Sequence, residues 1–92
     1  MADDKPNYPS IKDDIVLREE DDGAFIFDPI KDFLQVLNDT GLLVFKELNG
    51  ENSIDDIVQK LQSEYPEMSP EAVKQDVELF IEQIRMRGFL TD

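Results

Sequence analysis

Apolar residues come as short consecutive runs up to residue 37 and recur at three-to-four-residue spacing beyond it. Ile15-Val16-Leu17 opens a run that ends in Glu19-Glu20-Asp21-Asp22-Gly23, and Ala24-Phe25-Ile26-Phe27 follows. Asp22-Gly23 between two β-prone runs predicts a hairpin turn there, because such turns need residues that tolerate positive φ. Asp28-Pro29 ends the second strand, since proline fixes φ and donates no hydrogen bond. Phe33-Leu34-Gln35-Val36-Leu37 is a third run of strand formers. It is read as a strand, although the same residues could begin the next helix.

The helical spacing starts after it. Asn38 is a good N-cap for a first helix over residues 39–48, with Asp39 favourable at its positive end, Gly41 a mild cost and Gly50 a stop. Ser53, with Asp56 three residues on, is a capping-box variant that opens a second helix. Ile54, Ile57, Val58 and Leu61 form its apolar stripe, and Tyr65-Pro66 ends it. Ser69-Pro70-Glu71 combines a cap, proline at the first helical position and a first-turn acid, which starts a third helix. Val73, Val77, Phe80, Ile81 and Ile84 line one face of it, and Gly88 is placed to terminate it so that Phe89-Leu90 folds back onto the core. The predicted architecture is α+β, winged-helix-like, with a three-stranded antiparallel sheet followed by three helices. Residues 1–12 are expected to be a disordered tail and residues 13–92 the folded domain.

Composition narrows what such a domain can do. The chain has 92 residues, 22 acidic against 9 basic, a net charge of −13, and neither cysteine nor histidine. A domain of this size buries only about 60% of its unfolded surface, so its stability is modest. The negative field repels phosphate backbones and anionic membranes and favours neutral or basic peptides. Without cysteine and histidine there are no disulfides, no thiolate sites, no usual zinc ligand and no common general base. The start, Met1-Ala2-Asp3-Asp4-Lys5-Pro6, is polar and predicts no secretion signal. No apolar run approaches the roughly 20 residues needed to span a bilayer. A cytoplasmic protein follows as the expectation.

No residue set supports catalysis. With Gly23 placed sixth in a calcium loop, Arg18 would stand first and Pro29 twelfth, so that motif fails and a solvated turn remains. Glu78 and Glu82 lie one helical turn apart and read as an exposed helix surface. There is no nucleophile elbow and no glycine-rich phosphate loop. No cofactor or metal is expected. The six phenylalanines are mostly core in a domain this small. The run Phe33 to Leu37 stands apart because it is apolar on both faces, with Phe33 and Leu37 on one and Leu34 and Val36 on the other. At a sheet edge its free backbone groups would accept an extra strand, and a neighbouring helix would supply pockets, which is β-augmentation. Three helices with a small sheet also suggest nucleic-acid binding through a winged helix. The acids interspersed with Lys74, Gln75, Gln83, Arg85 and Arg87 point the other way.

Taken in order, Leu37-Asn38-Asp39-Thr40-Gly41, then Leu48-Asn49-Gly50-Glu51-Asn52-Ser53-Ile54-Asp55-Asp56-Ile57, then Val77 and Phe80, then Arg87-Gly88-Phe89-Leu90, resemble the PqqD-like family. The likeness covers about residues 15–90. Asp39 stands where the family usually has glutamate and Ser53 where it usually has threonine. The resemblance implies a recognition element for ribosomally made, modified peptides: a non-catalytic chaperone that binds the leader of a precursor and presents it to a modifying enzyme, often of the radical S-adenosylmethionine type. In the family the leader adds as a strand to the third strand and packs on the third helix. Carried over, the backbone of Phe33, Leu34, Gln35, Val36 and Leu37 would pair with the leader. The helix wall would be drawn from Val73, Lys74, Val77, Glu78, Ile81 and Ile84. Val77 and Ile81 would form the pocket floor, and Lys74 and Arg85 are candidates to meet an acidic leader residue. Which face of the strand meets the leader stays open, because a one-residue slip exchanges the faces. The chain is expected to be a monomer or a weak dimer through its open edge. The alternatives are a winged-helix nucleic-acid-binding domain and a structural interaction domain.

Overall fold

The structure, a computed structural model, describes residues 8–91. The element order is β1(Val16–Glu20), β2(Gly23–Asp28), β3(Phe33–Leu37), α1(Asp39–Lys46), α2(Ile54–Glu64) and α3(Pro70–Met86). The strands form one antiparallel sheet in the order β1-β2-β3, so β1 and β3 are its edges. This is the α+β arrangement that the spacing predicts, and the third apolar run is a strand.

Register sorts the sheet into two faces. Leu17 pairs with Ile26 and Ile26 with Gln35, while Ala24 pairs with Leu37 and Asp28 with Phe33. Ala24, Ile26 and Leu37 are buried, so this face meets the helices, and Phe33 and Gln35 share it. The other face carries Val16, Phe25, Phe27, Leu34 and Val36, of which Val16, Leu34 and Val36 are exposed. The core lies between the inner sheet face and the helical layer, where Ile57, Leu61, Val73, Val77, Ile81, Ile84 and Phe89 come together. Among the described residues no helix is long and apolar enough to cross a membrane.

The helix starts follow the local signals. Asn38 Oδ1 accepts from Gly41 N–H at 2.7 Å. Ser53 and Asp56 satisfy each other's backbone N–H groups at 3.0 and 3.1 Å, a full capping box. Ser69 Oγ accepts from Ala72 N–H at 3.1 Å, with Pro70 opening the helix. At the far end of α3, Phe89 N–H donates to Ile84 C=O and Gly88 N–H to Arg85 C=O, both at 3.0 Å. This is a Schellman termination with Gly88 at φ 83°, a left-handed position that favours glycine. It turns Phe89 back into the core.

Three boundaries differ from the sequence reading. The hairpin turn sits one residue earlier, because Glu20 pairs with Gly23 and leaves Asp21-Asp22 as the two loop residues. The pairing keeps Ala24 and Ile26 on the buried face, and a slip would turn them outward. Helix α1 ends at Lys46, not at residue 48. Leu48 C=O instead accepts from Ile11 N–H at 3.0 Å, so the chain leaves the helix to make a tertiary bond. The assigned tail of residues 1–12 is divided. Residues 1–7 lie outside the described residues, whereas residues 9–12 are bonded into the domain. Ser10 bridges Asn49 and Ile11 bridges Leu90. Lys12 N–H also donates to Phe89 C=O, and Gly50 N–H donates to Pro9 C=O.

Candidate functional site

The two edges of the sheet differ in chemistry. β1 reads Val-Leu-Arg-Glu-Glu, and its charges discourage a further strand. β3 reads Phe-Leu-Gln-Val-Leu, with no charge at all. Val36 is 73% exposed and Leu34 49% exposed. An uncharged apolar edge is the side of this sheet on which an added strand meets least resistance.

Helix α3 runs alongside that edge in the opposite direction. Its packed neighbours are α1 and α2, and its links to β3 are made by long side chains. Arg87 Nη1 donates to Gln35 Oε1 at 2.7 Å. The Arg87 guanidinium also lies 5.9 Å from the centre of the Phe33 ring, within cation–π range. Phe33 in turn stacks on Phe89, ring centres 5.8 Å apart. Near the other end of β3, Phe80 packs against Gly41. A Cβ on Gly41 would lie 3.1 Å from the Phe80 ring and 3.0 Å from Asn38 Oδ1, so glycine is what lets the ring seat there. A cavity of about 220 Å³ opens at this end, lined by residues that include Asn38, Thr40, Asp76, Leu79, Phe80 and Gln83.

These contacts identify the flank of α3 that faces the strand. At 3.6 residues per turn, Asp76, Phe80, Gln83 and Arg87 fall on one narrow stripe. The sequence reading assigned a neighbouring stripe. Val73, Val77, Ile81 and Ile84 are all within 1% of full burial. They lie inside the core beneath the sheet and the other helices. Lys74, Glu78 and Arg85 lie on the flank beyond the buried stripe, away from β3, and Arg85 makes a 3.9 Å ion pair with Glu82. Apolar periodicity marks the core face of a helix, so it picked out the buried stripe and not the flank beside β3. The usable signals were Phe80, apolar yet off the centre of the stripe, and Gly41, a helix glycine without a local reason.

The β3 residues divide by face. Phe33, Gln35 and Leu37 point toward the helical layer, with Leu37 itself buried beneath it. Leu34 and Val36 point to the outside of the sheet. Phe33 and Gln35 therefore lie on the face turned toward the helices, and Leu34 and Val36 on the opposite one. Among the described residues no cluster of three or more His, Cys, Asp or Glu side chains could hold a metal ion. The exposed ridge of α3 carries Gln75, Glu78, Leu79 and Glu82, an acidic surface that repels phosphate.

Two solved structures share this fold. One is a lasso peptide synthetase B1 complexed with the leader peptide, which matches with a TM-score of 0.80 and 24% identity over 92% of this chain and 99% of that chain. The other is TbiB1 in complex with the TbiA(β) leader peptide, with a TM-score of 0.78 and 20% identity over 89% of this chain and 94% of that one. No curated protein matches the chain by sequence. The family model described as coenzyme PQQ synthesis protein D (PqqD) matches residues 23–90, from the start of β2 to the residue after Phe89, and the chain belongs to that family.

Proposed function

We propose that this protein is a non-catalytic peptide chaperone. It binds the leader segment of a ribosomally made precursor peptide by strand addition to β3 and presents the precursor to a modifying enzyme of the radical S-adenosylmethionine type. The observation that carries the reading is the uncharged, open edge of β3 standing beside a flank of α3 that bears Asp76, Phe80, Gln83 and Arg87. Backbone bonds along the edge supply affinity, and the α3 flank supplies side-chain pockets. Family membership supports the leader-binding part of this reading, as do two solved neighbours that each hold a leader peptide. The acidic ridge of α3 and the net charge of −13 speak against nucleic acid as the partner.

The test uses the alternation of backbone groups along a strand. Successive N–H groups of β3 point in turn toward β2 and toward the free edge. Gln35→Pro and Val36→Pro therefore remove one N–H of each kind. Calorimetric titration with the leader half of the precursor peptide encoded beside this protein should show saturable 1:1 binding to the wild type. One of the two proline variants should melt near the wild-type temperature and no longer bind. The other should lose stability, because it breaks the β2–β3 ladder. Two folded variants that both bind as tightly as the wild type would rule out strand addition.

A further inference from the structure

We infer that the groove selects its peptide by charge order. It takes a segment with a lysine or arginine at the Asn38 end and an aspartate or glutamate four or six residues later at the Phe33 end. This rests on the strand-addition reading above and names the class of segment that the groove accepts.

The Asn38 end is a cavity with one charged residue in its lining, Asp76. Asp76 has no ion-pair partner among the described residues. Val44, Leu61, Leu79 and Phe80 supply apolar wall, and Asn38, Thr40 and Gln83 supply polar wall. The Asn38 side-chain oxygen is already committed to Gly41 N–H at 2.7 Å and to the Thr40 hydroxyl at 3.1 Å. The positive N-terminus of α1 borders this cavity, but Asp39 in its first turn offsets that partial charge. Apolar wall beside a single carboxylate suits a long aliphatic side chain with a cationic tip.

The Phe33 end has the opposite sign. Arg87 is held over the Phe33 ring and donates to the neutral amide of Gln35. A carboxylate is a stronger acceptor for a guanidinium than an amide, so an acidic side chain arriving there takes the bond over. Lys31 lies across Gly88 at the same end. Of the two nearby acids, Asp28 is turned onto the backbone N–H groups of Ile30 and Lys31 at 3.0 and 3.2 Å. Asp32 shares the Lys31 turn, so Arg87 sets the sign at the groove itself.

Spacing and direction follow from geometry. Asp76 and Arg87 are separated by eleven helical steps, about 16 Å along the axis. An extended strand covers that in about five residues. Alternate side chains face alternate sides, so only an even spacing, four or six, brings both to the groove. All pairings in the sheet are antiparallel, and an antiparallel ladder is the more stable per residue. A peptide antiparallel to β3 enters at the Asn38 end, so its base precedes its acid.

The experiment is selection of random 12-residue peptides by messenger-RNA display on the intact chain. Captured peptides should be enriched in a basic residue followed at four or six positions by an acidic one. The variant carrying both Asp76→Lys and Arg87→Glu, its fold checked by circular dichroism, should return the reverse order. Neutralising either charge of one selected peptide should weaken binding roughly fivefold, the scale of a rim ion pair. Captured peptides that lose binding to the edge-proline variant but carry no charge order, or the same order with both proteins, would overturn the charge inference and leave strand addition standing. Acid before base with the wild type would overturn the antiparallel register. No enrichment of any peptide would overturn the groove reading and the inference together.

Discussion

Gly41 shows how one residue can serve the site at the expense of its own helix. A glycine in a helix is about 1 kcal/mol worse than alanine. Here the missing Cβ leaves room for the Phe80 ring, and Asn38 Oδ1 presses from the other side. For Gly41→Ala the gain in propensity and the crowding nearly offset each other. For Gly41→Val crowding wins, because a branched side chain must displace both neighbours, at about 1–3 kcal/mol. The Val variant should therefore melt lower by about 4–8 °C for each kcal/mol lost, and peptide binding should fall with it because the ring leaves the groove wall. Thermal melts of both variants, read beside the titration, decide the matter. A raised melting temperature for both would mean that Phe80 moves aside freely. Asp76, Gln83 and Arg87 are polar and exposed, and they join Phe80 as one flank only when β3 is placed beside them.

At the scale of elements, what was legible in the sequence is what is local. Ser53 with Asp56, and Ser69 with Pro70, announce their helices because every partner lies within three residues. The apolar run at β3 was legible for its composition, and its position at the edge came only with the register. What escaped were features made by residues far apart in the chain. The end of α1 is set by Ile11, whose N–H takes the Leu48 carbonyl at 3.0 Å. Residues 9–12 carry no periodicity and looked like tail, yet their backbone groups bond to the α1–α2 connection and to the segment after α3. The α3 flank was missed because the longest apolar stripe belongs to the core. Ile11→Pro tests residues 9–12 as a strap across these two connections: it removes one tertiary N–H donor and leaves a carbonyl without its partner, at a cost of about 1–3 kcal/mol. Urea melts should show a lower midpoint with an unchanged slope, since the domain as a whole still unfolds in one step. A midpoint equal to that of the wild type would show that the strap adds nothing to stability.

For the whole molecule the governing quantity is the charge of −13 on 92 residues. Lys46 pairs with Glu19 at 3.1 Å and Lys60 with Glu47 at 3.9 Å, each across residues distant in sequence, and both pairs are partly exposed. Such pairs contribute little, whereas mutual repulsion among the acids acts over the entire surface. Salt should therefore stabilise the fold. Raising ionic strength from about 0.01 M to about 0.15 M, which shortens the screening length from about 30 Å to about 8 Å, should raise the melting temperature. The same change should slow association with a basic peptide while leaving its dissociation nearly constant. A melting temperature that falls with salt would show that the attractive pairs dominate after all. Thr91 N–H donates to Ser10 C=O at 3.0 Å, so the two ends of the described chain leave side by side. In topological terms the domain is almost a closed ring. It can be spliced into a surface loop of a larger protein, or joined end to end and reopened at the Asp21-Asp22 turn, with little strain on the groove.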